Sequence, residues 1–335
     1  MIRYGILGFG LHAVRRLMPG FEQAKQCTVA GLWRRDPEKA QQAVRDYGRF
    51  PIRAYDSPQA LCSAPDVDAI FVASPDALHL PHVLMAVQNR KPVLCEKPMA
   101  MNSAECEQMV DAAERAGVLL GIAHNFRFNR SVNRLRDIMA AGKIGKPVLA
   151  RSEFHYDTRG SARTWISDAS LACGGPIGDV AVHCIDTLRY ILQDDIVSVY
   201  ARALYDQQSG TVEYAATLLL EFQKGTISTV AVSTRADYRS PLWITGDAGL
   251  LGAEDALTVE HPIQLICKPI NAHSVSEEVS NDTAYAEQVD EFALSIEQGI
   301  PFRVPGIEGL KNQRVLDAAY RSIRTRNREL VRSPK

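Results

Sequence analysis

A chain of 335 residues with 46% hydrophobic and 23% charged side chains is long enough for two domains and can bury a core without metals or disulfides. Its formal net charge of −1, with no long run of one sign, gives no electrostatic case for nucleic acid or an anionic membrane surface. Seven cysteines, with no C-x-x-C pair, argue against a disulfide framework or structural zinc; no apolar run nears the ~20 residues of a membrane-spanning helix, and the expected location is the cytoplasm.

Residues 2–7, 28–33, 68–73, 93–95 and 118–122 read as short buried strands, with helices over 11–21, 37–47, 78–88 and 103–116. This alternation implies an α/β fold: right-handed crossovers and a doubly wound, Rossmann-type parallel sheet over residues 1–122. Asn102 with Glu105 makes a capping-box-like start, and Gly117 a C-terminal cap. From 123 to 335 the pattern changes. Helices over 131–141, 176–190, 285–296 and 307–324 frame alternating stretches at 148–155, 197–204, 212–222, 226–233 and 242–246. These read as an α+β domain with a large, mostly antiparallel open sheet.

Gly8-Phe9-Gly10-Leu11-His12-Ala13 follows the first strand and opens a helix. It is the alanine form of the G-x-G-x-x-G dinucleotide fingerprint. Gly8 makes the tight turn, and Phe9 and Leu11 beside it are expected cofactor contacts as well. Gly10 admits a pyrophosphate, Ala13 packs the helix on the sheet, and the helix N-terminus offers N–H groups to phosphate. Past the second strand, Arg34 and Arg35 stand where an acidic residue would bind the ribose 2′-OH of NAD; a guanidinium fork suits the 2′-phosphate of NADP. Asp36 is the rival for NAD, yet it precedes Pro37 and so reads as a helix N-cap. NADP is the expected cofactor and NAD the second choice.

Two further stretches carry chemistry. Glu96-Lys97-Pro98 lies just past a buried strand, at the sheet edge that faces ligands, and Pro98 keeps Lys97 out of helical geometry. Gly174-Gly175-Pro176 opens a helix on which Asp179, His183 and Asp186 share one face. A histidine there can accept an alcohol proton near neutral pH, oriented by a carboxylate one turn away. His79 and His82 are spaced for a metal pair, but with no further ligand no metal is expected.

Gly8-Phe9-Gly10, the Ala73-Ser74-Pro75 to His79 loop, Cys95-Glu96-Lys97-Pro98 and the stretch from Gly174 to Asp186, in that order, resemble the Gfo/Idh/MocA oxidoreductase family, the glucose–fructose oxidoreductase and inositol dehydrogenase group. The resemblance implies hydride transfer between NADP(H) and a carbinol or carbonyl carbon of a sugar, sugar derivative or cyclitol. Lys97, Asp179 and His183 would be the catalytic groups. Ser74, Pro75, His79, Glu96 and Lys97 would line the cofactor, with Lys97–Pro98 a cis peptide. Asn125, Arg127, His155 and Trp165 are the expected substrate contacts. A homodimer or homotetramer through the C-terminal sheet is also implied. Three departures stand out: Ala181 for a glycine, Cys173 for the first of three glycines, and Ile166 for the arginine that often follows the tryptophan. Two rivals remain open, an NAD-recycling glycosidase of the same fold and a non-catalytic ligand sensor.

Overall fold

The computed structural model describes residues 1–331. The chain divides into two compact units, Met1–Asn125 with Thr283–Leu310, and Phe126–Asp282 with the segment from Lys311. This corrects the division at residue 122, because Thr283–Leu310 returns to the first unit. Packing explains the return. The Tyr4 hydroxyl donates to the Val289 carbonyl at 2.9 Å, and its ring meets Phe21 and Phe292. Gly20 lies so close to the returning helix that a Cβ there would fall 2.7 Å from that of Tyr285.

In the first unit, β1 (Ile2–Leu7), β2 (Cys27–Trp33), β3 (Arg53–Ala54), β4 (Ala69–Val72), β5 (Val93–Cys95) and β6 (Leu120–Ile122) form a parallel sheet in the order β3-β2-β1-β4-β5-β6. The order reverses between β1 and β4. That reversal puts the loops after Leu7 and Val72 at the crevice where open α/β sheets bind ligands. After β1 the helix opens through a wide π-type turn, Ala13–Leu17, before α1 (Met18–Gln23). Pro19 has no N–H for the turn behind it, and the wide turn accommodates this. Helices α2 (Pro37–Asp46), α3 (Pro58–Ser63), α4 (His79–Gln88) and α5 (Ser103–Ala116) complete the crossovers. Asn102 caps α5 by accepting from Glu105 N–H at 3.0 Å, and Gly117 ends it at φ +62°. Both features follow the sequence expectation.

The second unit starts with α6 (Arg130–Ala140). Its sheet, among the described residues, has ten strands. They are β7 (Pro147–Asp157), β8 (Ile196–Leu204), β9 (Ala215–Phe222), β10 (Ile227–Ser233), β11 (Arg235–Arg239), β12 (Leu242–Gly246), β13 (Gly249–Ala253), β14 (Ile263–Pro269), β15 (Val275–Val279) and β16 (Glu329–Leu330). β7 pairs in parallel with β10; the other ladders are antiparallel. The helix α7 (Val182–Leu192) is buried almost throughout. It belongs to one hydrophobic cluster with Leu218, Leu220, Val230 and Val232 of the sheet's inner face. Helices α8 (Ala284–Gln298) and α9 (Gly306–Thr325) close the chain. No helix among the described residues is long and apolar enough to cross a membrane.

Candidate active site

The cofactor end of the first unit is built on two glycines with different reasons. Gly8 has φ +87°, and a Cβ there would sit 2.5 Å from the Ser74 backbone nitrogen. Only glycine lets the turn after β1 meet the loop after β4. At Gly10 the nearest atom to an added Cβ is the Gly8 carbonyl oxygen, at 3.8 Å. The protein itself does not demand glycine there. The space it leaves lies at the first turn of a helix, whose N–H groups have no intrahelical acceptor, and it fits a pyrophosphate. Gly8 and Phe9 N–H both donate to the Trp33 carbonyl at 3.0 and 3.1 Å, and the Phe9 ring is buried against Tyr47. Phe9 therefore corrects its expected cofactor role: it anchors the turn and offers neither ring nor N–H outward. Leu11, by contrast, is exposed at the helix start.

Asp36 caps α2, its carboxylate accepting from Lys39 N–H at 3.1 Å. That bond leads the effects that lower its pKa. Arg34 is half-buried and Arg35 exposed. Neither makes a hydrogen bond or ion pair among the described residues.

The loops after β4 and β5 are tied together by histidines. His79 is 0% exposed, with Nδ1 3.0 Å from the Pro98 carbonyl and Nε2 2.8 Å from the Ser74 carbonyl. It is thus a clasp between loops and not the direct cofactor contact expected. Ser74 Oγ lies 2.9 Å from His82 Nδ1, and burial lowers His82 to about 4, which keeps the ring neutral at neutral pH. Pro75 leads into the short turn before α4. The Lys97–Pro98 peptide is cis, as the resemblance implied. Lys97 is half-buried just past β5, and its N–H donates to Glu96 Oε2 at 3.2 Å. Glu96 Oε1 lies 2.8 Å from His12 Nε2. Burial opposes the Glu96 charge, but His12 and Lys97 outweigh it and hold its pKa below the usual range. Sequence reading missed His12, which fills an unconstrained position of the fingerprint. Asn125 is buried at the end of the unit's first segment. Among the described residues no three metal-ligating side chains gather.

In the second unit, Gly174 and Gly175 are sterically required. A Cβ would fall 1.6 Å from the Tyr320 hydroxyl and 1.9 Å from the Glu213 carbonyl, respectively. Glu213 in turn accepts from Ile177 N–H and the Tyr320 hydroxyl, both at 3.0 Å. The helix then opens through a wide turn, Ile177–Ala181, into α7. Asp179 lies in that turn. Tyr156 donates its hydroxyl to Oδ2, and the Arg163 guanidinium is 3.5 Å from Oδ1. Burial, with Asp179 beside it, pushes the Tyr156 phenol up. His183 is 8% exposed, its ring 4.6 Å from Phe126 and 6.0 Å from Phe154.

Two expectations are corrected here, for Arg127 and His155. Asp186, further along the same helix as Asp179 and His183, is held from other elements. It is buried and accepts from Arg127 Nε at 2.9 Å, Arg127 Nη2 at 2.7 Å and Asn312 Nδ2 at 2.7 Å. Arg127, expected at the substrate, is 4% exposed, committed to Asp186 and stacked over Tyr190. His155 sits on β7 between Phe154 and Tyr156, and strand alternation turns it to the opposite face. Trp165 lies under the Arg163 guanidinium at 5.5 Å, next to buried Ile166. Sequence analysis passed over Tyr156, Arg163 and Glu213, though Tyr156 shares a strand face with Phe154.

The chain matches two family models: an oxidoreductase family with an NAD-binding Rossmann fold over residues 2–124, and the GFO/IDH/MocA C-terminal domain over residues 132–251. A 1,5-anhydro-D-fructose reductase from Ensifer adhaerens is 34% identical over 58% of each chain. D-xylose 1-dehydrogenase (NADP(+)) 2 from Haloferax volcanii is 28% identical over 96% of this chain and 97% of its own. An aldose-aldose oxidoreductase from Caulobacter crescentus, solved with glycerol, superposes with a TM-score of 0.89 at 26% identity, covering 98% of this chain and 99% of that one. With both of its domains represented here, the chain belongs to the GFO/IDH/MocA oxidoreductase family and is an NAD(P)-dependent enzyme.

Proposed function

We propose that the protein is an NADP(H)-dependent oxidoreductase acting on a carbinol or carbonyl carbon of a sugar, sugar derivative or cyclitol. The observation that carries the cofactor choice is the end of β2. Two arginines stand there, neither of them hydrogen-bonded among the described residues, and the adjacent carboxylate, Asp36, caps α2 while the Arg34 charge acts on it. A 2′-phosphate would supply the missing anion. Arg34→Ala should weaken NADPH binding about 10- to 100-fold, the scale of a charge-assisted hydrogen bond, and leave NADH nearly unaffected. Fluorescence titration of both nucleotides reads this directly. Equal NADH and NADPH affinity in the unaltered protein would instead favour NAD, and with it the NAD-recycling glycosidase.

When bound, a nicotinamide dinucleotide supplies or accepts the hydride. Lys97 and His183 hold and return the proton of the substrate hydroxyl, while Asp179 orients the hydroxyl. Relatives named for anhydrofructose and xylose support the carbohydrate class. Asn125 and Trp165 remain proposed substrate contacts. All seven cysteines are unbonded thiols, which supports a reducing, cytoplasmic setting.

The outer face of the second unit's sheet carries exposed apolar pairs among polar residues. Leu149 is paired with Ile227 and Leu219 with Tyr200, and all four are exposed. Cross-strand partners share a face, and a patch of this kind marks an interface. We infer a homodimer or homotetramer through it. Light scattering should give at least twice 37.0 kDa, and Leu219→Lys should shift the mass toward monomer.

A further inference from the structure

Beside Asp179 the second unit holds an open cavity of about 300 Å³, at the lower end of the range for small-molecule sites. Thr158, Ser161, Thr164, Ser167, Ser209 and Thr234 are among the residues that line it. So are three arginines, Arg159, Arg163 and Arg235. At first sight such a wall suits a phosphate or carboxylate. The counterions argue otherwise.

Arg159 is bound to both carboxylate oxygens of Asp157, at 2.7 to 3.1 Å. Arg235 pairs with Asp206 and stacks over Tyr214. Neither Asp157 nor Asp206 lines the cavity, so both arginines are neutralised from behind. Arg163 differs, because its partner Asp179 lines the cavity with it. The pair therefore forms part of the wall. The remaining lining carboxyl is Glu213, whose charge burial disfavours, raising its pKa. Every guanidinium has a carboxylate within 3.5 Å, which leaves no surplus positive charge for an anion to claim. What the wall offers is a charged donor and a charged acceptor side by side among hydroxyls. Two adjacent hydroxyls of a neutral ligand satisfy both, one accepting from the guanidinium and one donating to the carboxylate.

We propose that this cavity takes a neutral polyol, a sugar or cyclitol without phosphate or carboxylate, held through a vicinal diol by Arg163 and Asp179. Arg163 is then a specificity-determining residue for the substrate. The proposal rests on the carbohydrate reading above and narrows it, since phosphorylated and nucleotide-linked sugars are set aside.

Calorimetric titration of the NADPH-saturated protein with D-glucose, D-xylose and myo-inositol, and with D-glucose 6-phosphate and D-gluconate, tests it without requiring turnover. At least one neutral compound should bind about tenfold or more tightly than either anion. Arg163→Gln should weaken that compound about tenfold or more, the scale of a charge-assisted hydrogen bond, and Arg163→Lys by less, as it keeps the charge without the fork. In turnover, Arg163→Gln should raise KM by at least the same factor, with Arg163→Lys recovering part of it and the melting temperature of both variants unchanged, a pattern that loss of structure alone would not produce. Tighter binding of an anion, unchanged affinity in Arg163→Gln, or no binding of any compound overturns the proposal. Turnover of a phosphorylated sugar in preference to neutral ones sinks it but spares the oxidoreductase reading. Polyol binding lost in Arg163→Gln, with no hydride transfer to any sugar, does the reverse.

Discussion

Lys97→Ala and His183→Asn should each lower kcat by about 10²- to 10⁴-fold, the range for losing a positioned acid–base group, and leave NADPH affinity within about threefold. Lys97 is half-buried at the C-terminal edge of β5. Its backbone is fixed from two sides, by Glu96 on its N–H and by the His79 clasp on the following residue's carbonyl. Such fixing keeps the side chain at the ligand-binding edge at little entropic cost on binding. His183 is oriented by the rings of Phe126 and Phe154. For His183 truncation therefore removes a placed ring, and for Lys97 a group whose backbone is placed. The measurement is steady-state turnover with a sugar that shows NADP-linked oxidation, beside NADPH titration and thermal melting of the same variants. A loss below tenfold in kcat with normal melting would remove the residue concerned from the proton-transfer role. A large loss of NADPH affinity in Lys97→Ala, with kcat preserved, would make Lys97 a cofactor anchor.

The parts of the molecule that can be read in advance are those where a local rule and the tertiary fold agree. β4 and β5 are buried on both faces, and in the sequence they are plain apolar runs followed by proline-containing loops. Asp36-Pro37 and Asn102 announce helix starts through side-chain chemistry that acts within three residues. The two-residue β3 and the polar edge strand β15 carry too little pattern to register. The return of Thr283–Leu310 to the first unit depends on Tyr4, 285 residues away from its acceptor at Val289. In the site, residue type was a better guide than neighbourhood. The Asp179 and His183 stretch stood out because charged groups are rare on an otherwise apolar helix. The same logic says nothing of the partner of Asp186, whose charge is balanced by Arg127 from a different element. His79 and His155 were misassigned for related reasons: a histidine's partners, or the face of a strand it occupies, become visible only after folding. Tyr156 and Arg163 reach Asp179 from a strand and a loop with no motif of their own.

Arg127→Met should destabilise the protein by about 3–5 kcal/mol, since it strands a carboxylate that folding has taken out of water. Asp186 is 1% exposed and would keep only the Asn312 amide among the bonds described above. In a unit of this size that loss corresponds to a fall in Tm of roughly 6–20 °C. The guanidinium contributes more than charge, as it also covers the Tyr190 ring at 5.1 Å; methionine replaces some of that packing, so the loss reports chiefly on the orphaned carboxylate. Removing both charges separates the two terms. Arg127→Met with Asp186→Leu should recover most of the lost stability, because a buried pair exchanged for apolar groups of similar volume is often close to neutral. A substrate contact predicts the opposite pattern: Arg127→Met would raise KM with Tm hardly changed, and the second substitution would restore nothing. Thermal melting of the single and double variants, read beside KM, decides between them. A double variant no more stable than Arg127→Met would mean that the Asn312 and Tyr190 packing, and not the charge pair, holds this part of the second unit together.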